Sequence, residues 1–155
     1  MCACGSDILF LDDKNSAKTM SKRIVKIIGG GLAGCEGALQ LLKRGFAVKM
    51  YEMRPTKTTG AHKGDSLAEL VCSNSLKSTE PCTASGLLKK ELDMLGCALL
   101  PIARECGVPS GSALSVDREK FSKAVEKELA KYPDFTLIRE EVTSLDEDMP
   151  TIVVS

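Results

Sequence analysis

At 155 residues the chain can bury one ordinary core, and 43% apolar against 27% charged is the balance of a globular domain. Basic and acidic residues cancel at 21 each, which excludes a general positive field for a polyanion; a basic face for nucleic acid, if there is one, is expected elsewhere. No apolar run approaches the roughly 18 residues that span a bilayer, and Ile8-Leu9-Phe10-Leu11 is too short for a signal-peptide core, so no membrane association is expected and the cytoplasm is the expected compartment.

Residues 1–21 lack usable periodicity and read as a disordered leader, with Met20-Ser21-Lys22 as a natural start. Arg23 to Ile28 is β-branched and apolar, the pattern of a buried parallel strand. The turn Gly29-Gly30-Gly31-Leu32-Ala33-Gly34 follows, a G-x-G-x-x-G spacing between strand and helix that suits a dinucleotide pyrophosphate. Gly29 allows the tight turn, Gly31 a close approach of backbone to phosphate, and Gly34 close packing of helix on strand. The helix from Leu32 to Lys43 has apolar residues at 38, 39, 41 and 42, and Gly45 supplies its stop. Phe46 to Glu52 is a second strand. Glu52 lies 23 residues after Gly29, near the spacing of a carboxylate that accepts a ribose hydroxyl.

Pro55 ends this βαβ beginning. Residues 56–82 read as a functional loop with one apolar island at 67–72. A helix with a face at 88, 92, 95 and 99 is expected next, bent or broken by Gly96 and Pro101 and closed at Cys106-Gly107. Asp117 should cap a helix facing inward through Phe121, Val125 and Leu129, leaving Arg118 as a surface charge. Tyr132-Pro133-Asp134 turns into a strand at 135–138, continued at 142–145, and a last apolar strand begins at Thr151. The expected architecture is α/β: a Rossmann-like dinucleotide-binding domain over 22–155 (FAD-binding, by the family resemblance set out below), incomplete at its C-terminal end, with an inserted region starting around 83–134. The chain reads as the N-terminal part of a longer protein.

Seven cysteines (2, 4, 35, 72, 82, 97 and 106) make an odd count without a C-x-x-C pair, so reduced thiols are expected. Cys2-Ala3-Cys4 is half of a metal site with no other half, and no metal is expected. Cys35, Cys82, Cys97 and Cys106 read as packing residues. His62, the one histidine, lies in the 56–82 loop and reads as solvated.

Two blocks are more specific than the glycines: Tyr51-Glu52-Met53-Arg54-Pro55 and Glu69-Leu70-Val71-Cys72-Ser73-Asn74-Ser75-Leu76-Lys77-Ser78. With Ala61-His62, Val108 to Arg118 and Arg139 to Thr143, they resemble the folate- and FAD-dependent tRNA (uracil-5-)-methyltransferase family, TrmFO, from about Lys22 to Ser155. The resemblance implies an enzyme that methylates the T-loop uridine of tRNA at C5. It implies methylenetetrahydrofolate as carbon donor, reduced FAD and NAD(P)H as reductant. Gly29 to Gly34 would hold the FAD pyrophosphate, Glu52 the adenosine ribose, and Arg54 the adenosine part; Val142 would set backbone against adenine. Cys72 matches one of the family's two functional cysteines. A thiolate that adds to uracil C6 makes C5 nucleophilic, and it works best from a polar, reachable segment such as Cys72-Ser73-Asn74-Ser75. The competing readings are a GidA/MnmG-like modifier of wobble uridine, a general FAD or NAD oxidoreductase, and an inactive FAD-binding fragment.

Overall fold

The structure is a computed structural model that describes residues 23–145 and 149–154. The leader and Cys2-Ala3-Cys4 lie outside the described residues. In chain order the elements are β1 (Ile24–Ile28), α1 (Leu32–Lys43), β2 (Ala47–Tyr51), β3 (Ser75–Ser78), α2 (Ala84–Met94) and α3 (Leu99–Glu105). They continue with β4 (Gly107–Val108), β5 (Ala113–Val116), α4 (Arg118–Leu129), β6 (Phe135–Ile138) and β7 (Thr151–Val153).

Four strands form a parallel sheet in the order β6-β2-β1-β7. In β1 and β2, Val25, Ile27, Val48 and Met50 are buried, as β-branched and apolar side chains on a covered sheet should be. Helix α1 buries Cys35, Ala38, Leu39 and Leu42, and α4 adds Phe121, Val125 and Leu129 to the same core. Asp117 caps α4, its side chain accepting from the Lys120 N–H at 3.0 Å. The β1–β2 register pairs Ile28 with Tyr51, so Gly29 and Glu52 emerge side by side at the carboxyl ends of adjacent strands. This is the edge at which open α/β sheets bind ligands. The expected Rossmann-like arrangement is present.

The helical stretch around 88–105 is broken, as expected, into two helices; other expectations need correction. Gly96, at φ +76°, makes the break, whereas Pro101 sits in the first turn of α3, where a missing N–H has no intrahelical partner to lose. Leu88 and Leu95 are 54% and 76% exposed, whereas Leu92 packs against the core and Leu99 is buried, so only half of the expected apolar face turns inward. α2 instead buries Gly86 and Lys89, because the helix seats Gly86 against Glu80: a Cβ there would lie 1.9 Å from the Glu80 carbonyl oxygen. The 56–82 segment is not all loop. Its β3 joins β5 and β4 in a small antiparallel sheet, ordered β3-β5-β4. Residues 142–145 form no strand; the chain leaves the sheet edge after Ile138. Finally, Cys82 is exposed rather than packed, while Cys35 and Cys106 are buried.

Candidate functional site

The glycine turn is built from backbone contacts that leave no room for side chains. Gly29 adopts φ +112° and donates its N–H to the Tyr51 carbonyl at 2.9 Å, locking the turn onto the end of β2. A Cβ on Gly34 would sit 1.9 Å from the Gly29 carbonyl oxygen, so α1 can approach β1 this closely only through glycine. A Cβ on Gly31 would meet nothing within 4 Å, which leaves open space over the start of α1. Gly31 is the residue before the first helical turn; no side chain caps it, and no acid lies in that turn. The first N–H groups and the positive end of the helix dipole are therefore left for an anion.

Glu52 is tied into the turn. Its Oε2 accepts from the Gly30 N–H at 2.8 Å, and its Oε1 accepts from Arg54 through Nε at 2.8 Å and the backbone N–H at 3.1 Å. Burial alone would raise its pKa, but these three donors and the guanidinium charge hold it at about 2. Glu52 is thus an ionised acceptor at any physiological pH. Arg54 is 1% exposed, and its guanidinium also reaches Glu69 Oε2 at 2.6 Å. Glu69 in turn accepts from the N–H groups of Lys63 and Gly64 at 2.9 and 3.2 Å. The Ala68 N–H donates to the Gly30 carbonyl at 2.8 Å, and Cys35 Sγ donates to the same oxygen at 3.4 Å. Burial pushes the Cys35 thiol up to about 12, so it is a protonated packing group.

Around this frame lies a cavity of about 490 Å³, within the range of cofactor pockets (roughly 300–1,000 Å³). Gly29, Gly30, Gly31, Glu52, Arg54 and Val142 all line it, together with Thr59 and His62. The His62 Nδ1 lies 2.6 Å from the Thr59 hydroxyl. Leu32 and Ala33 do not line this cavity; they border a separate apolar cleft of about 250 Å³ beside Leu76 and Phe121. Gly34 is buried beneath the turn. Cys72 is exposed, outside the cavity, and leads into β3. Its neighbour Ser73 accepts from the Ser75 N–H at 3.0 Å, and Asn74 donates to the Val116 carbonyl at 3.2 Å.

Three further contributors were not singled out from sequence. Glu69 and Arg139 brace the cavity, Arg139 donating to the carbonyls of Arg54 and Asp65 at 3.1 and 2.7 Å. Glu36, in α1, accepts from the N–H groups of Ala98 and Leu99 at 2.9 Å and so caps α3 from outside it. Burial opposes its ionisation, yet these donors lower its pKa. A charged residue inside the apolar island at 67–72 was the available signal for Glu69. No group of three or more potential metal ligands exists among the described residues, and no helix there is long and apolar enough to cross a membrane.

Comparison with known proteins gives three findings. The family described as "Glucose inhibited division protein A" matches residues 24–155. A methylenetetrahydrofolate–tRNA-(uracil-5-)-methyltransferase TrmFO from Bacillus subtilis is 50% identical over 136 residues, which cover 88% of this chain and 31% of the relative. The Dictyoglomus turgidum protein of the same name is 57% identical over 131 residues, covering 84% and 30%. The chain thus spans about a third of the length of the curated relatives it matches. Among solved structures, the p-nitrophenol 4-monooxygenase PnpA of Pseudomonas putida aligns with a TM-score of 0.49 at 20% identity, over 82% of this chain and 34% of that one.

Proposed function

The chain belongs to the glucose inhibited division protein A family, and we propose that it is the N-terminal part of the FAD-binding domain of an enzyme that methylates the T-loop uridine of tRNA at C5. The observation that carries this reading is the joining of a bare helix N-terminus to an ionised, pre-oriented Glu52 across one cavity. The first turn of α1 holds the FAD pyrophosphate, and Glu52 accepts a hydroxyl of the adenosine ribose. Arg54, whose guanidinium is already committed to Glu52 and Glu69, acts on the adenosine part by aiming Glu52. Val142, which lines the same cavity, sets its backbone against adenine. FAD held by these residues would, once reduced by NAD(P)H, supply the electrons for transfer of the one-carbon unit of methylenetetrahydrofolate.

Cys72 is the nucleophile or its partner. An exposed thiol on a polar segment can meet a uracil that has left its stack, add to C6 as thiolate, and make C5 nucleophilic. The inserted region begins around 83–134, and the compartment is the cytoplasm. The wobble-uridine reading weighs less, because relatives named for uracil-5 methylation share about half of the residues. Loss of the gene should remove T-loop ribothymidine from tRNA; wild type should restore it and Cys72→Ala should not. Unchanged ribothymidine after gene loss would sink the reading.

A further inference from the structure

Overall neutrality conceals a local asymmetry next to the Cys72 segment. Where residues 63–70 pass α4, a second cavity of about 350 Å³ is lined by Lys63 and Ser66 on one side and by Arg118, Ser122 and Lys123 on the other. Two carboxylates also border it, and both are engaged. Glu69 accepts from Arg54 and from two backbone N–H groups, and Glu119 pairs with Lys123 at 3.7 Å. The side chains of Lys63 and Arg118 have no carboxylate partner among the described residues. Two positive charges are therefore left uncompensated.

Ser122 supplies the second, independent sign. It lines this groove although the residue is only 3% exposed, and its hydroxyl makes no hydrogen bond to the described residues. No fully buried side-chain polar atom there lacks a partner, so this hydroxyl meets solvent at the groove and is free to donate there.

We propose that this groove seats a backbone phosphate of the RNA substrate. Arg118 offers a planar fork suited to two phosphate oxygens, Lys63 a point charge from the opposite wall, and Ser122 a hydroxyl donor between them. The cations belong to two segments, residues 63–70 and α4, that border one groove, so a phosphate can be held from both. Leu70 lines the groove and Cys72 is two residues further on, at most about 8 Å away along the Cα trace. A strand anchored here can present a neighbouring base to the thiol.

The assignment rests on the reading that RNA is the substrate, and the test separates the two. Binding of a T-arm RNA hairpin by the intact protein is measured across salt concentrations for wild type, Arg118→Gln, Lys63→Gln and Ser122→Ala. Each charge variant should bind several-fold more weakly and lower the slope of log affinity against log salt by about one, with FAD binding and melting temperature unchanged. Ser122→Ala should weaken binding without altering the slope. Unchanged affinity and slope in both charge variants would overturn the groove while leaving the tRNA reading intact. A raised KM for methylenetetrahydrofolate with normal RNA binding would also overturn it, in favour of a folate carboxylate. If wild type itself fails to bind the hairpin, the RNA reading falls and the groove with it.

Discussion

The glycine turn and the Cys72 segment are two loops built on opposite principles. In the turn, the groups around Glu52 are committed, while the first N–H groups of α1 stay free. Glu52 has three donors, the Gly30 carbonyl has two, and Arg54, 1% exposed, lies between two carboxylates. Residues 71–74 are held only at their margin, by Asn74 against Val116 and by the start of β3, and Cys72 stands in solvent. A group that must hold a cofactor gains from being over-determined. A group that must attack a base and then release it gains from access. The small β3-β5-β4 sheet carries the second loop, and residues 67–69 join it to the first through Ala68 on Gly30 and Glu69 on Arg54.

The largest effect on stability is expected where the turn is tightest. Gly34→Ala places a methyl 1.9 Å from a backbone oxygen that cannot step aside, so denaturant titration should show a loss of about 3 kcal/mol. If the variant is as stable as wild type, the close packing of α1 on β1 is not what holds the turn. Glu52→Gln should cost somewhat less, about 2 kcal/mol, because Arg54 keeps Glu69 as a partner but loses a buried carboxylate. The pH dependence sharpens this. Glu52 is lowered from an ordinary 4.5 to about 2, so its ionised form stabilises the fold fully above about pH 4.5, and that contribution is lost as pH falls through 2. The melting-temperature gap between wild type and Glu52→Gln should narrow over this interval; a constant gap would assign the loss to packing. Smallest is Cys72→Ala, expected within about 0.5 kcal/mol of wild type. Alkylation mapped by mass spectrometry should modify Cys72 and Cys82 readily and leave Cys35 untouched in the folded protein. Prompt modification of Cys35 would erase the contrast between the loops.

The parts of this site that follow local covalent spacing were legible in the chain. Glycines at 29, 31 and 34 and an acid at the end of the next strand follow from the geometry of one strand, one turn and one helix, and Glu52 stands where that geometry requires. Partners brought in by tertiary contact were not. Nothing near Glu69 in sequence says that it will meet Arg54, and the role of Arg139 depends on β6 lying beside β2. Periodicity misled in part at α2, where Leu88 lies on the exposed side while Gly86, seated against Glu80, and Leu92 face inward. The small antiparallel sheet escaped notice because its strands are two to four residues long and β3, Ser75-Leu76-Lys77-Ser78, is mostly polar.

The internal satisfaction of Glu52 has a kinetic consequence. Both carboxylate oxygens, the Gly30 N–H and the Arg54 guanidinium have protein partners before any nucleotide arrives. A nucleotide that docks against Glu52 would therefore meet a surface that is already set, and its uptake there would be a docking event rather than a local folding event. Reconstitution of the stripped protein should proceed in one bimolecular phase whose rate rises linearly with FAD concentration, without the plateau that a slow ordering step would impose.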